Sequence, residues 1–422
     1  MASAGASQTC DGERSICSAD RDIEVSAVMP CLDEQETIGR CIEKAINCFT
    51  VLGIRGEVVV GDNGSTDGSV EIARSLGARV VHQPIRGYGA ALQAAIGAAR
   101  GRYCIMADCD DSYDWSAMGP FIDKLREGYD LVMGTRLKGN IVPGAMPPLH
   151  QYFGNPFLSG LMNLFFRTGV SDAHCGMRGF SKESYAKMDL QSTGMEFATE
   201  MVVKAKNKNL NITEIPITLY KDGRSKKPHL RSFRDGWRHL RLLLFYAPDY
   251  LYIIPGFLML IPGIILQAAL LLGPIRVFGH YVGIHWLALG CLLTLLGFQV
   301  VSMGAFAKAF AMNESFEMRG PTFTRLVNWF TLEIGVAMGA LLIFLGFLAD
   351  LSILVTWLTR GGGEMGSAHT VIVASTTMAL GFQIVFCSFF LAMFKLQAQK
   401  NADEKSLKDA LSISGKTEPE DP

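Results

Sequence analysis

Four long apolar runs in the second half of the chain restrict its fold more than any other feature. They occupy about residues 250–272, 281–306, 329–348 and 371–394. A helix of about 20 apolar residues crosses a hydrocarbon core of about 30 Å. The alternative, a set of buried core helices, is weak because the runs are too long and nearly uncharged. We therefore predict a transmembrane region of four helices over residues 249–396.

The charges are distributed unevenly along the chain. Hydrophobic residues make up 49% of it and charged residues only 19%, below the roughly 25% of ordinary globular proteins. Most charges precede Arg241, and basic residues follow the second and the fourth apolar runs. An excess of Lys and Arg marks the cytoplasmic side of a membrane. We expect both termini, including a tail over residues 397–422, on that side.

The first half of the chain alternates short apolar runs with helical patterns. Residues 1–22 are mostly small or polar and predict a disordered leader. From Ile23 to about Ile217, β-type runs such as Glu57 to Gly61 are separated by segments with helical periodicity. This alternation predicts an α/β fold whose mostly parallel sheet is covered on both faces. We place this domain at residues 23–227.

A basic amphipathic helix is predicted over residues 228–248. Its apolar positions include Leu230, Phe233 and Trp237, whereas arginines 231, 234, 238 and 241 repeat on the other side. A helix of this type lies among lipid headgroups. A solvated helix packed on the domain is the alternative. The position directly before the first apolar run favours the membrane surface.

Acidic side chains stand where three of the predicted strands end. Glu34 follows the first strand, Asp62 ends the second, and Asp108 and Asp110 follow the fourth. Ligands of parallel sheets bind at the carboxyl ends of the strands, so these acids are expected to meet at one edge. Mg²⁺ binds through one or two carboxylates and completes its shell with substrate phosphates. The pattern predicts a site for Mg²⁺ or Mn²⁺.

Taken together, these segments resemble the family 2 glycosyltransferases of the GT-A fold, and within them the dolichyl- and polyprenyl-phosphate sugar synthases. The resemblance covers Ile23 to about Lys227. The matching segments are Pro30-Cys-Leu-Asp-Glu34, Asp62, Asp108-Cys-Asp110, Arg136, Cys175-Gly-Met-Arg178 and Lys221-Asp-Gly-Arg224-Ser-Lys226. Asp33 stands where Asn is usual, and Ser112 stands where the synthases have a Gln that helps to hold the metal.

The resemblance implies functional roles for the matched residues. Asp110 and Arg136 would be catalytic. The metal would be held by Asp110, Asp108 and Ser112. The donor would be bound at the strand ends by Pro30, Leu32, Glu34, Val60, Asp62, Asp108, Cys109 and Asp110. The phosphates of donor or acceptor would be bound by Arg136, Arg178, Arg224, Ser225 and Lys226. For Arg178, fixing its own loop is an equally reasonable role.

The resemblance implies an inverting transfer of one sugar from a nucleotide-sugar, of the UDP-glucose or GDP-mannose type, to a polyprenyl or dolichyl phosphate. Such a hexosyltransferase would work at the cytoplasmic face of a lipid bilayer, which we expect to be a bacterial plasma membrane. A homo-oligomer is possible, and the net charge of −1 indicates no nucleic-acid partner. Two alternatives stay open: a processive polysaccharide synthase, and a non-catalytic membrane scaffold with a degenerate domain.

Overall fold

The computed structural model describes the chain in four stretches, residues 23–225, 232–313, 331–362 and 368–414. The chain divides into two compact units, with the boundary between Leu243 and Leu244. The predicted leader, Lys226 and the last eight residues of the predicted tail lie outside the described residues. Residues 397–414 of that tail continue the last helix.

The first unit contains a seven-stranded sheet and its helices. The strands are β1 (Val25–Cys31), β2 (Gly56–Asp62), β3 (Arg79–His82), β4 (Tyr103–Met106), β5 (Leu131–Ile141), β6 (Arg178–Ser181) and β7 (Ile212–Leu219). The helices are α1 (Ile38–Leu52), α2 (Ser69–Ser75), α3 (Tyr88–Ala98), α4 (Gly119–Arg126), α5 (Asn155–Phe166), α6 (Lys182–Met188), α7 (Phe197–Asn207) and α8 (Ser232–Tyr246). Helix α8 ends in the second unit.

The order of the strands brings the predicted acids to one edge. The strands lie in the order β3-β2-β1-β4-β6-β5-β7. Only β6 is antiparallel to its neighbours, which confirms the mostly parallel α/β fold. Cys31 at the end of β1 pairs in register with Asp62 at the end of β2. Strand β4 runs parallel to β1 on its other side and ends at Met106, just before Asp108.

Helix α1 shows how the sequence builds this core. Ile38, Ile42, Ala45 and Phe49 recur every three or four residues, and all four are buried. This spacing places them on one face of the helix. Gly53 ends the helix with a φ of 63°, a left-handed conformation that glycine adopts without the penalty of a Cβ atom. The apolar face of α1 is thus fixed above the first strands of the sheet.

Helix α8 turns polar residues towards the domain. His239 is buried and its Nδ1 lies 2.7 Å from the Thr199 hydroxyl of α7. Its ring packs edge-to-face on the ring of His174, with 4.6 Å between the ring centroids. Burial lowers the pKa of His239 to about 4 and that of His174 well below its usual value. Both imidazoles are therefore neutral, and His174 has a structural place in the domain.

The second unit contains the four predicted membrane helices. They are α9 (Ile254–Leu270, extended at its start by the turn Asp249–Ile253), α10 (Ile284–Asn313), α11 (Leu332–Thr359) and α12 (Ala368–Ser414). Among the described residues, four helical stretches are long and apolar enough to cross a membrane: Asp249–Leu270, Ile284–Ala311, Leu332–Thr359 and Ala368–Gln397. A hairpin of β8 (Ile275–Val277) and β9 (His280–Val282) joins α9 to α10.

The third membrane helix is longer than the sequence predicted. The apolar run ends at Leu348, whereas α11 continues to Thr359. Polar residues interrupt the run, and two of them, Asp350 and Ser352, make hydrogen bonds. The Asp350 carboxylate accepts a hydrogen bond from the Ser375 hydroxyl of α12 at 3.1 Å, and the Ser352 hydroxyl bonds to the carbonyl of Ala349.

Close packing of α9 and α10 depends on small residues. A Cβ atom added at Gly297 of α10 would lie 2.7 Å from the Cα of Leu260 and 2.8 Å from the carbonyl oxygen of Gly256, both in α9. Small residues at such positions let membrane helices approach closely. We expect Gly297→Val to lower the thermal unfolding midpoint in detergent, because overpacking costs about 1–3 kcal/mol.

The matched control is Leu296→Val, one residue earlier, where the side chain is 42% exposed. This variant should unfold at nearly the midpoint of the unchanged protein. Equal midpoints for both variants would show that α9 and α10 do not pack through Gly297.

Candidate active site

Asp110 is the centre of a network of hydrogen bonds and ion pairs at the rim of the sheet. Its Oδ1 accepts hydrogen bonds from the backbone N–H of Ser112 at 3.1 Å and from the Ser112 hydroxyl at 2.5 Å. Its Oδ2 lies 2.8 Å from Nη2 of Arg224, and Nη1 of the same guanidinium lies 2.7 Å from Oε1 of Glu34. Three predicted site residues from distant parts of the sequence, Glu34, Asp110 and Arg224, are therefore joined through the Arg224 guanidinium.

The segment that carries Arg224 lies across the rim. The N–H of Gly223 donates to the carbonyl of Asp110 at 2.9 Å, and that of Tyr220 donates to the carbonyl of Ser112 at 2.9 Å. Ser225 bonds through its N–H and its hydroxyl to the Glu36 carboxylate, at 2.7 and 2.6 Å. Ser225 therefore anchors this segment to the turn before α1. Its predicted phosphate contact stays a prediction.

Asp108 lies where a second negative charge is unfavourable. Burial and the neighbouring Asp110 raise the pKa of Asp108 to about 7, although a hydrogen bond from Tyr88 opposes the shift. Burial also raises the pKa of Glu34, against the charge of Arg224. The repulsion between the partly buried Asp108 and the buried Asp110 favours the binding of a cation near these two carboxylates.

Arg136 is held by an acid that the sequence analysis missed. Its Nε and Nη2 lie 2.7 and 2.8 Å from the two carboxylate oxygens of Asp172, and its backbone N–H donates to the same group at 3.0 Å. Asp172 is fully buried. A paired contact of this kind fixes the plane of the guanidinium as well as its position. Nothing local in the sequence identifies Asp172, because its partner lies 36 positions earlier.

Arg178 has a structural role in this conformation. Its guanidinium is fully buried and donates to the carbonyls of Cys175 at 2.9 Å, Ala198 at 2.5 Å and Ala173 at 2.9 Å. These bonds tie the 173–178 loop to α7, which is the alternative that the sequence left open. We therefore remove Arg178 from the predicted phosphate-binding set.

Other predicted donor residues lie at the rim with their side chains engaged elsewhere. Val60 is in the hydrophobic core, so its side chain is not available to a donor. The thiol of Cys109 is buried and lies 2.9 Å from the carbonyl of Pro30. Pro30 in β1 and Leu32 just after it are partly buried. These four residues can shape the rim through their backbone.

Asp62 is fixed by its own turn and by a histidine that the sequence analysis missed. Its carboxylate accepts hydrogen bonds from the N–H groups of Ser65 at 3.0 Å and Gly64 at 3.3 Å, and lies 2.9 Å from Nδ1 of His82. Burial would raise the pKa of Asp62, but these hydrogen bonds lower it below its usual value. Asp62 is therefore an ionised acceptor at the end of β2.

Gly176 leaves no room for a side chain beside Asp108. An added Cβ would lie 2.9 Å from Oδ2 of Asp108 and 3.0 Å from the ring of Tyr113. The N–H of Gly176 also donates to the Tyr113 hydroxyl at 2.9 Å. We expect Gly176→Ala to displace Asp108 and to lower the rate of the sugar transfer that the resemblance implies by about 100-fold, the scale that a 1 Å misplacement can cost.

Initial rates of the purified variants measure this effect. Gly97→Ala in α3 is the control, because an added Cβ there meets nothing within 4 Å. It should transfer sugar at the unchanged rate. An unaltered rate for Gly176→Ala would show that Asp108 tolerates displacement.

The donor set at the rim fits a hard divalent cation that also binds substrate. In the described part of the chain, no cluster of three His, Cys, Asp or Glu could hold a metal by protein ligands alone. Mg²⁺ needs no such cage, because it binds through one or two carboxylates and substrate phosphates. Asp108 and Asp110 would supply those carboxylates. The Ser112 hydroxyl donates to Asp110, and its predicted role as a metal ligand stays a prediction. Asp111 is turned away towards Arg40 and Lys44 of α1.

Comparison with known proteins identifies the family of the chain. The family described as Glycosyl transferase family 2 matches residues 26–189, and its C-terminal transmembrane region matches residues 305–395. Agl6 of Haloferax volcanii, a low-salt glycan biosynthesis hexosyltransferase, is 41% identical over 387 residues, which are 90% of this chain and 92% of the relative. The chain belongs to the family 2 glycosyltransferases.

Two further proteins are similar to this glycosyltransferase over a shorter length. A dolichyl-phosphate hexose transferase of Haloferax volcanii is 33% identical over 216 residues, or 50% of this chain and 89% of the relative. The structure of glucosyl-3-phosphoglycerate synthase from Mycobacterium tuberculosis with Mn²⁺, uridine diphosphate and glucosyl-3-phosphoglycerate covers 58% of this chain and 84% of that chain, at 20% identity and a TM-score of 0.41. The matched transmembrane region and the four apolar helices make this glycosyltransferase a multi-pass membrane enzyme.

Proposed function

We propose that this glycosyltransferase transfers one hexose from a nucleotide-sugar to a polyprenyl or dolichyl phosphate. The observation that carries the proposal is the contact of Arg224 with both Asp110 and Glu34 at the strand ends, in a chain with four membrane helices. The similarity to a hexosyltransferase and to a dolichyl-phosphate hexose transferase supports the hexose and the lipid phosphate.

The donor is bound by the acids of the rim. Asp62 accepts hydrogen bonds from the nucleoside, and Asp108 and Asp110 are the residues that would hold Mg²⁺ or Mn²⁺. The bound cation would neutralise the pyrophosphate and stabilise it as a leaving group. Ser112 keeps Asp110 in one orientation through its short hydrogen bond.

The acceptor needs no general base. A phosphate monoester has a second pKa of about 6, so its oxygen is already anionic near neutral pH. That oxygen forms a bond to C1 of the sugar from the face opposite the pyrophosphate. The bond from C1 to the pyrophosphate oxygen breaks, and the nucleoside diphosphate leaves with the electron pair. The anomeric configuration is therefore inverted.

Two arginines hold the phosphates that would otherwise repel each other. The guanidinium of Arg136 is fixed in one plane by Asp172 through Nε and Nη2. Its Nη1, which lies 3.5 Å from the Tyr113 hydroxyl, is the donor for a phosphate. Arg224 bridges Glu34 and Asp110, so its guanidinium is held at the rim beside the proposed site of the donor pyrophosphate. Lys226, outside the described residues, is proposed as a further point charge.

We propose that the reaction takes place at the cytoplasmic face, with α8 on the membrane surface. Phe233 and Trp237 are exposed on α8, and Arg234 and Arg238 lie on the same helix. Aromatic and basic side chains together suit the headgroup layer. Lys308 near the end of α10 and Lys395 near the end of the fourth apolar stretch add positive charge on the side assigned to the cytoplasm.

Incubation of the purified full-length protein with a panel of radiolabelled nucleotide-sugars tests the proposal. The panel includes UDP-glucose and GDP-mannose, with polyprenyl or dolichyl phosphate as acceptor and Mg²⁺ or Mn²⁺ as cation. One donor should label the lipid, and a chelator should stop the labelling. The absence of labelled lipid with every donor would contradict the proposal, as would label in a long polymer.

A further inference from the structure

Helix α5 exposes an apolar stripe to its surroundings. Phe153, in the turn His150–Gly154 that leads into α5, is 61% exposed, Phe157 is 47% exposed, and Leu164 is 58% exposed. Together with Gly160, these residues are spaced by four, three and four positions, so they lie on one helical face. Tyr152 beside them is 76% exposed. The rings of Phe153 and Phe157 are stacked, with 5.5 Å between their centroids.

The polar residues of α5 face the domain instead of water. The Ser159 hydroxyl is buried and accepts a hydrogen bond from the N–H of Ala173 at 3.1 Å. Asn163 donates to the carbonyl of Val170 at 2.8 Å and accepts from the Thr168 hydroxyl at 2.6 Å. This arrangement is the reverse of that in a water-exposed helix, whose apolar stripe faces the core. An exposed patch of this kind marks a membrane or protein contact.

Two observations favour a lipid surface over a protein partner. The sequence from residue 144 to residue 170 contains no Asp or Glu, so nothing there repels anionic headgroups. Helix α8 has the same reversed pattern, with Asp235 and His239 buried while Phe233 and Trp237 are exposed. Both helices contact α7. Helix α5 packs on it, and His239 of α8 is hydrogen-bonded to Thr199 of α7.

We propose that the exposed stripe of Tyr152, Phe153, Phe157 and Leu164 inserts into the interfacial layer of a lipid bilayer. The stripe is a second membrane contact of the first unit besides α8. It lies in the sequence between Arg136 and Asp172, which hold each other in a buried ion pair. The segment that meets the lipid therefore has the proposed phosphate-binding Arg136 before it in the sequence and the partner of that arginine, Asp172, after it. The contact itself does not depend on the proposed reaction.

Hydroxyl-radical labelling of the unaltered protein tests the contact. Vesicles of equal parts phosphatidylcholine and phosphatidylglycerol hold the full-length protein, and oxidation of individual tyrosines is read by mass spectrometry. Tyr152 is more exposed than Tyr220, which is 42% exposed on the same unit. If both tyrosine side chains are in contact with water, Tyr152 should oxidise faster than Tyr220 because it is more exposed. The proposal predicts the reverse order, and faster oxidation of Tyr152 would overturn it.

A photo-crosslinking experiment separates lipid from protein as the covering partner. The residue p-benzoylphenylalanine replaces Phe153 or Phe157, and in a control it replaces Val51, which is 76% exposed on α1. Irradiation in the same vesicles should attach phospholipid at residues 153 and 157 and none at residue 51. Cross-links from 153 or 157 to this chain or to a second copy, without phospholipid adducts, would overturn the proposal.

Discussion

Asp110→Asn is expected to reduce the rate of sugar transfer by about 1,000-fold, the upper range for removal of one preorganised electrostatic group. Asp110 is buried at the rim and contacts both Arg224 and Ser112. The change removes one of the two carboxylates that fit the cation, and it removes the charge that holds Arg224. Initial rates at saturating donor and lipid measure the effect, because loss of turnover is then separated from weaker substrate binding.

Asp111→Asn is the matched control, since it removes the same charge from the adjacent residue. Asp111 has a φ of 63°, and its carboxylate points to Lys44 at 2.7 Å and Arg40 at 3.3 Å. Both partners are partly exposed, and such pairs contribute little to stability. The control should transfer sugar at close to the unchanged rate. Equal losses for the two variants would show that the total charge of the segment matters, and not the position of Asp110.

Asp172→Ala is expected to destabilise the first unit by about 3–5 kcal/mol, the cost of leaving one partner of a buried ion pair uncompensated. The side chains of Arg136 and Asp172 are 10% and 0% exposed. Removal of the carboxylate also frees the Arg136 guanidinium to leave its plane. We therefore expect a lower thermal unfolding midpoint together with a higher KM for the lipid phosphate.

A double variant separates the two consequences. Arg136→Met with Asp172→Ala removes both charges, so it should unfold at a higher midpoint than Asp172→Ala alone. Its sugar transfer should stay low, because the phosphate-binding guanidinium is missing. Additive losses of stability in the double variant would show that Arg136 and Asp172 act independently.

The sequence predicted the parts of the site that depend on strand pattern. Asp62 and Asp108 each follow a short apolar run, and the carboxyl ends of parallel strands must meet at one edge. The register of Cys31 with Asp62 confirms this reasoning. The membrane helices were predictable for a similar reason, because length and composition alone identify them.

The rest of the site depends on side-chain orientations and on contacts between distant residues, which a sequence pattern does not contain. Asp111 points away from Asp110 because of its left-handed backbone. Arg178 bonds to carbonyls whose positions follow from loop geometry. Asp172 and Glu36 were missed because their partners are distant in sequence. The exposed apolar stripe of α5 was not predicted, because the sequence does not show which side of this helix faces the domain.

Mass spectrometry of the lipid product tests the central claim most directly. The full-length protein is supplied with polyprenyl phosphate, the donor that labels it and Mg²⁺, and a parallel reaction contains the same lipid as a free alcohol. We predict a lipid phosphate heavier by one hexose, released nucleoside diphosphate in equal amount, and no product from the alcohol. Glycosylated alcohol, or a lipid that carries a series of added hexoses, would contradict a single transfer to an anionic headgroup.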